Sequence, residues 1–243
     1  MDSDSREKTP LSEAEHAFLL ALYNSDAPSV TRMLKRDPSL VNAAAVSQCG
    51  YLSPVSVTFP IHIAAQSGHV AILQALLTAG ASPNKKTMSG RKEHVSALWC
   101  AMSSNHPEAV KLLLDAGADP KPEGLQLLFL ACKNQSPEIL TLLLNTYGVN
   151  PTAETPTTNI IDGEASSLPD KCFPLNAAAA CGSQECLTIL LKAGVDKNKE
   201  DFSEHFTPLH YAIKGGHIHL VNALTSQPSD LMKPNSKGVT PLS

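Results

Sequence analysis

Apolar residues recur along the chain at the spacing of one face of an α-helix. Val70, Leu73, Leu76 and Leu77 lie at positions i, i+3, i+6 and i+7, and residues at this spacing point to the same side of a helix. Gly80 follows soon after, where the left-handed end of a helix favours glycine. The pattern therefore predicts a short amphipathic helix with a glycine cap, and further helices of this type open near residues 107, 137 and 184.

A second pattern precedes each of these helices. Its clearest copy is Thr207-Pro208-Leu209-His210-Tyr211-Ala212, in which the threonine hydroxyl can cap a helix and the proline suits its first position. Similar segments begin at residues 59 and 173, looser ones at 96 and 126, and a further one opens at 240. Each unit is therefore expected to contain a helix, a tight turn, a second helix, a glycine cap and an extended loop.

Units in this order resemble the ankyrin repeat family. The matching segments are Thr207-Pro208-Leu209-His210, Gly216-His217, Ala116-Gly117-Ala118-Asp119 and Ala79-Gly80-Ala81-Ser82-Pro83-Asn84. The resemblance implies an all-α fold, an ankyrin-type helical repeat solenoid of about six repeats with hairpin loops and some long inserted loops. We expect disorder in residues 1–10 and an array over 11–243. Its approximate units are 11–58, 59–95, 96–125, 126–172, 173–206 and 207–239, and residues 240–243 start another.

The chain departs from a regular array in several places. Residues 11–38 are interpreted as a degenerate cap, because the end of a solenoid needs a polar outer face. The loops 39–58, 85–95 and 151–172 are longer than bare repeats require, and each is either a tolerated insertion or a recognition element. Trp99, Phe129 and Asn176 replace the motif histidine, so more apolar packing is expected at those junctions. The incomplete unit at 240–243 suggests that the chain is a fragment of a longer protein.

Composition and charge narrow the classes of function. The net charge is −4, which does not favour nucleic acid or an anionic membrane as a partner. The six cysteines form no CxxC pair, and the N-terminus lacks the apolar core of a secretory signal. We therefore expect a monomeric cytoplasmic or nuclear protein that is not secreted. The motifs of nucleophilic, phosphate-binding and metalloprotease sites are absent from the sequence, so no catalytic, metal or cofactor site is predicted.

The expected function is non-catalytic binding of a protein or peptide, as an adaptor, scaffold or targeting domain. The concave face of such an array is lined by the ends of the first helices and by the loops. The predicted partner-binding residues are Gln66, Ser67, Lys92, Glu93, Ser103, Ser104, Lys133, Asn134, Phe202, His205, Phe206 and Lys214. Exposed aromatic residues are frequent hot spots of interfaces, so Phe202 and Phe206 carry the most weight, unless one of them packs under its own hairpin.

The sequence permits three further interpretations. The array can be the substrate-recruiting region of a larger enzyme whose catalytic domain lies outside this chain. The short basic patch Lys85, Lys86, Arg91 and Lys92 can bind an anion or nucleic acid, or be a solvated loop. The resemblance also implies that hairpin asparagines can be hydroxylated on the β-carbon, and the candidates are Asn84, Asn150 and Asn198.

Overall fold

The computed structural model describes residues 12–47, 56–89, 92–152, 173–201 and 204–242. The chain divides into two compact units. The described residues up to Ala118 belong to the first unit, and those from Asp119 onward belong to the second. No helix in these ranges is both long enough and apolar enough to cross a membrane.

The first unit contains three pairs of helices, each pair joined by a tight turn. They are α1 (Glu13–Tyr23), α2 (Ala27–Arg36), α3 (Pro60–Gln66), α4 (Val70–Thr78), α5 (Ala97–Ser103) and α6 (Pro107–Asp115). The first helix of a pair packs against the first helix of the next, as α3 does against α5, and the second helices α2, α4 and α6 pack in the same order. A 3-10 turn, Pro38–Asn42, follows α2.

The second unit repeats this arrangement. Its helices are α7 (Gly124–Lys133), α8 (Pro137–Thr141), α9 (Pro174–Ala180), α10 (Gln184–Lys192), α11 (Pro208–Lys214) and α12 (Ile218–Leu224). α8 continues into a wider turn of π type over Leu142–Thr146, and 3-10 turns occupy Lys121–Glu123 and Pro228–Met232. Helix α9 packs between α7 and α11. It can lie close to both because its core residues are alanines with no exposed surface, Ala177, Ala178 and Ala179.

The predicted glycine caps are confirmed. Gly80, Gly117 and Gly194 have φ values of +95°, +89° and +83°, the left-handed region that a side chain would disfavour. The hydroxyl of Thr207 behaves differently from the expected cap, because it bonds the Nδ1 atom of His210 at 2.7 Å rather than a backbone N–H. The helices thus follow the predicted order, while the boundaries assigned to the individual repeats remain predictions.

A four-stranded antiparallel sheet in the first unit was not predicted. Strands β1 (Ala45–Ser47), β2 (Ser56–Thr58), β3 (Lys86–Ser89) and β4 (Lys92–Ser96) pair in chain order. The pairing between β2 and β3 is confined to Val57 opposite Met88. The long loops 39–58 and 85–95 therefore contain the strands of two hairpins that join side by side, within a fold that is otherwise helical.

Hydrogen bonds from the first helices reach the following hairpins. The Nε2 atom of His62 donates to the carbonyl of Lys85 at 2.9 Å, and that of His210 to the carbonyl of Val239 at 3.0 Å. Asn176 makes the same contact, with its Nδ2 atom donating to the carbonyl of Phe206 at 3.0 Å. More apolar packing was expected at Asn176, but this junction keeps the hydrogen bond, because a carboxamide N–H can replace the imidazole N–H.

Candidate partner-binding site

Most of the predicted binding residues lie where the first helix of each pair ends. At the ends of α3, α5, α7 and α11, the last helical residue and the C-cap that follows it form a pair. These pairs are Gln66 with Ser67, Ser103 with Ser104, Lys133 with Asn134, and Lys214 with Gly215. The side chains of Ser67, Ser103, Lys133 and Lys214 are exposed, and those of Gln66, Ser104 and Asn134 are half-buried. The ends of α3, α5, α7 and α11 thus each present a polar side chain to solvent.

Histidines from the following repeat fix the backbone beside these ends. In the first unit His106 Nε2 donates to the carbonyl of Gln66 at 3.1 Å, and in the second His217 Nε2 donates to the carbonyl of Ala180 at 2.9 Å. Glycines make room for these rings, because a Cβ atom added at Gly68 would lie 2.5 Å from His106 and one added at Gly182 would lie 2.7 Å from His217. The ends of α3 and α9 are therefore held in place before any partner binds.

The predicted residues form a separate group in each unit. In the first unit Gln66, Ser67, Ser103 and Ser104 come together, because α3 packs on α5, and this group carries no charge. In the second unit Lys133 at the end of α7 lies close enough to Cys181, the C-cap of α9, to oppose the rise that burial causes in the pKa of the Cys181 thiol. Lys214 follows at the end of α11, the next helix in the stack.

A buried carboxylate closes the hairpin that precedes α11. Asp201 is 2 % exposed, and its carboxylate accepts the backbone N–H groups of Glu204 at 2.8 Å and of His205 and Phe206 at 3.2 Å each. It also accepts the hydroxyl of Tyr211 at 2.7 Å. Burial of a carboxylate is tolerated where several hydrogen bonds satisfy it. Asp201 therefore fixes the backbone of two predicted binding residues, His205 and Phe206.

Phe206 joins this hairpin to the end of α11. Its ring stacks on His210 with a centroid distance of 5.2 Å and meets Tyr211 edge to face at 5.7 Å. The Nζ atom of Lys214 lies 5.5 Å from the centroid of the Phe206 ring, within reach of a cation–π contact. Phe206 thus packs on its own repeat and still remains half-exposed beside an exposed lysine.

Four other predicted binding residues lie in hairpins, and the structure describes the side chain of one of them, His205. His205 has a φ of +59°, and its Nδ1 atom lies 3.3 Å from Glu200. The Glu200 carboxylate also accepts the backbone N–H of Ser236 at 2.9 Å, and the hydrogen bond from the Ser236 side chain is the main reason why the pKa of Glu200 is lowered. Lys92 and Glu93 begin β4, but their side chains, like the whole of Phe202, lie outside the described residues.

Two kinds of reactive group, a metal site and a cysteine thiolate, can be examined in the described residues. Among the described residues, no three of His, Cys, Asp and Glu lie close enough to hold a metal ion. Hydrogen bonds from Cys132 and Ser183 lower the pKa of the Cys186 thiol to about 7, because such bonds favour the thiolate. Cys186 and Cys132 have no exposed surface, however, so this thiol is not presented to a substrate.

The three candidate asparagines for hydroxylation are exposed. Asn84 donates through Nδ2 to the carbonyl of Gly117 at 3.0 Å, and the Oδ1 atom of Asn150 accepts the backbone N–H of Thr152 at 2.9 Å. The backbone N–H of Asn198 donates to Asp196 at 2.9 Å. Their modification stays a prediction.

In the basic patch, the Nζ atom of Lys85 lies 4.4 Å from the centroid of the Phe59 ring, so this lysine has an intramolecular contact.

The class of protein is defined by stacked helix pairs, glycine caps and hydrogen bonds between neighbouring repeats. The sequence profile described as "Ankyrin repeats (3 copies)" matches residues 61–155 and 158–235. The chain belongs to the ankyrin repeat family. Its fold is similar to the crystal structure of the human ASB11 ankyrin repeat domain, with a TM-score of 0.68, 23 % identity, and coverage of 96 % of this chain and 90 % of that one.

Two curated relatives place similar repeats within much longer proteins. The human transient receptor potential cation channel subfamily A member 1 is 27 % identical over 194 residues, which cover 68 % of this chain and 17 % of the channel protein. The glycerophosphocholine phosphodiesterase gde1 of Schizosaccharomyces pombe is 26 % identical over 178 residues, covering 72 % of this chain and 14 % of that protein. The chain spans less than a fifth of the length of either relative.

Proposed function

We propose that this chain is a non-catalytic interaction module that binds a protein or peptide through the ends of its first helices and the adjoining hairpins. The observation that carries the proposal is the set of first-helix ends. Two of them have a carbonyl, of Gln66 and of Ala180, that is bound by a histidine of the next repeat. Exposed polar side chains stand at such ends, at Ser67, Ser103, Lys133 and Lys214. A surface fixed in advance loses less conformational entropy when a partner binds. The compartment that we propose is the cytoplasm or the nucleus.

The two units suit different parts of a partner. The neutral group in the first unit, Gln66, Ser67, Ser103 and Ser104, offers hydrogen bonds without charge. The group in the second unit carries Lys133 and Lys214 beside the half-exposed ring of Phe206. Lysines attract acidic side chains, and an aromatic ring supplies apolar contact area. We therefore propose that the second unit binds an acidic segment that also contains an apolar residue.

Paired charge reversals test the surface of the second unit. In Lys133→Glu/Lys214→Glu, both proposed contacts change sign. The matched control, Lys121→Glu/Lys192→Glu, makes the same change of net charge at exposed lysines that do not lie at the end of a first helix. Proteins captured from a native lysate should bind the wild type and the control but be lost from the first variant. Equal capture by both variants would exclude the proposed surface, provided that circular dichroism shows both to be folded.

The rival function is recruitment of a substrate to a catalytic domain in a longer polypeptide. The similarity to gde1, a protein named as a phosphodiesterase, over 14 % of its length favours this alternative. The intact polypeptide isolated from native cells distinguishes the two functions. A catalytic domain in the same polypeptide would support recruitment, whereas an intact polypeptide without one would support an independent adaptor.

A further inference from the structure

A cleft in the second unit contains a buried polar atom that lacks a partner. The cleft has a volume of about 450 Å³, and its lining includes Phe173, Leu175, Asn176, Val195, the carboxylate residue Asp196 and Lys199. Asn176 is 1 % exposed, and within the described residues its Oδ1 atom accepts no hydrogen bond. The carbonyl of Phe206 can only accept, so the Asn176 atom that contacts it is Nδ2 and the unpartnered atom is the amide oxygen.

A cation stands beside this atom in the lining of the cleft. The Nζ atom of Lys199 lies 4.3 Å from the centroid of the Phe173 ring. In the described part of the chain, no carboxylate forms an ion pair with this lysine. The cleft therefore combines a hydrogen-bond acceptor, a cationic donor and the apolar surface of Phe173, Leu175 and Val195. A buried acceptor without a partner destabilises the protein until a donor reaches it.

The corresponding crevice in the next repeat is smaller, and its buried ring nitrogens have hydrogen-bond partners. A crevice lined by Thr207, Leu209, His210 and Lys233, each 34 residues further along the chain, has a volume of only about 120 Å³. There both ring nitrogens of His210 have partners, since Nε2 donates to Val239 and Nδ1 accepts from Thr207. The larger volume and the unpartnered oxygen therefore belong to the cleft at Asn176 rather than to every junction between repeats.

We propose that this cleft binds the carboxamide side chain of a glutamine or asparagine in a partner peptide. The carboxamide N–H would donate to Asn176 Oδ1, and its carbonyl would accept from Lys199 Nζ. A carboxylate could accept from Lys199, but it has no N–H for Asn176 and would be repelled by Asp196, which also lines the cleft. An ammonium group could donate to Asn176, but it cannot accept a hydrogen bond from Lys199. The methylene groups of the side chain would contact Phe173 and Val195. The cleft shares no residue with the surface proposed above, so either proposal can fail alone.

The test is an NMR titration of the labelled 243-residue chain with N-acetyl-L-glutamine methylamide. We expect saturable shifts of the Asn176 side-chain amide and the Gly194 backbone amide, with a dissociation constant of about 1–10 mM for so small a probe. N-acetyl-L-glutamate methylamide has the same two backbone amides and lacks only the side-chain N–H donor, so it should bind at least about tenfold more weakly. Equal or tighter binding of the glutamate probe would overturn the carboxamide assignment.

Two variants locate the site. Asn176→His introduces the residue that His62 and His210 supply at their junctions, which keeps a donor for Phe206 and removes the amide oxygen. Lys199→Met keeps the apolar stem and removes the cation. Each variant should weaken the glutamine probe at least about tenfold while melting as cooperatively as the wild type. Unchanged binding in either variant, or no saturable shift in the wild type, would refute the site. Tighter binding of free L-glutamine than of the blocked probe would refute a peptide as the source.

Discussion

His62 should make the stability of the first unit depend on pH. Its side chain is buried, its Nε2–H donates to the carbonyl of Lys85 at 2.9 Å, and its Nδ1 accepts the backbone N–H of Phe59 at 3.3 Å. This pair of bonds requires the neutral ring, because a protonated Nδ1 can no longer accept. Burial is the main reason why the pKa of His62 is lowered from 6.5 to about 4, and the bond to Lys85 opposes the shift only in part.

The sign and size of the effect follow from this pKa. Above pH 6.5 the ring is neutral in the folded and the unfolded chain, so its contribution to stability is complete. Between pH 6.5 and about 4 the unfolded chain binds a proton that the folded chain does not. The free energy of unfolding then falls by about 1.4 kcal/mol per pH unit, or about 3 kcal/mol over the whole interval.

The variant His62→Asn isolates this contribution. An asparagine can donate to Lys85 as Asn176 donates to Phe206, but it does not titrate. At pH 7.5 we expect the variant to be less stable than the wild type by about 1–2 kcal/mol, since it is smaller and leaves the N–H of Phe59 without a partner. The difference should vanish or reverse near pH 4.5. Urea unfolding followed by the fluorescence of Trp99, the one tryptophan of the chain, reports on the same unit.

A constant difference between wild type and variant across this pH range would refute the reasoning. Carboxylates also titrate at the acidic end, where hydrogen bonds from Ser29 lower the pKa of Asp26, so the comparison must be between variants rather than with absolute stability. His16→Asn, at an exposed position of α1, controls for the removal of one histidine. The part of the pH dependence that His62 causes, about 3 kcal/mol, should be missing from His62→Asn and present in this control.

Two further predictions concern the second unit. Gly182→Ala should destabilise this unit by about 3 kcal/mol, because the new Cβ atom would clash with His217 and the backbone is left-handed. Gly194→Ala has open space around its new Cβ atom and should destabilise the unit by only about 1 kcal/mol. Urea unfolding followed by circular dichroism measures both losses. Asp201→Ala should cost about 3–5 kcal/mol and abolish protection of the hairpin amides in hydrogen exchange, while Tyr211→Phe, which removes one hydrogen bond, should cost about 1 kcal/mol. Equal losses within either pair would contradict the assigned contacts.

The helices could be predicted from the sequence because their signals are local. The spacing of apolar residues and the glycine after each second helix depend only on neighbours in the chain, and the structure confirms the glycine caps at Gly80 and Gly194. The positions of Lys133 and Lys214 at helix ends follow from the same local pattern. Their role in binding depends on a partner, and it stays a prediction.

Features that join distant segments could not be predicted. Strands β2 and β3 pair with Val57 opposite Met88, and the two strands lie far apart in the sequence. The role of Asp201 also depends on a bond to Tyr211, on the following helix. No periodic pattern marks such contacts, because each is made by a single residue whose partner is brought near only when the chain folds.

One position of the repeat controls two separate properties. His62 and Asn176 make the same hydrogen bond to the following hairpin, so either residue can join neighbouring repeats. They differ in their second polar atom, since Nδ1 of His62 has a backbone donor and Oδ1 of Asn176 has none among the described residues. A histidine therefore adds sensitivity to pH, and an asparagine adds an acceptor for a ligand. The exchanges His62→Asn and Asn176→His should remove these properties one at a time, without removing the shared bond.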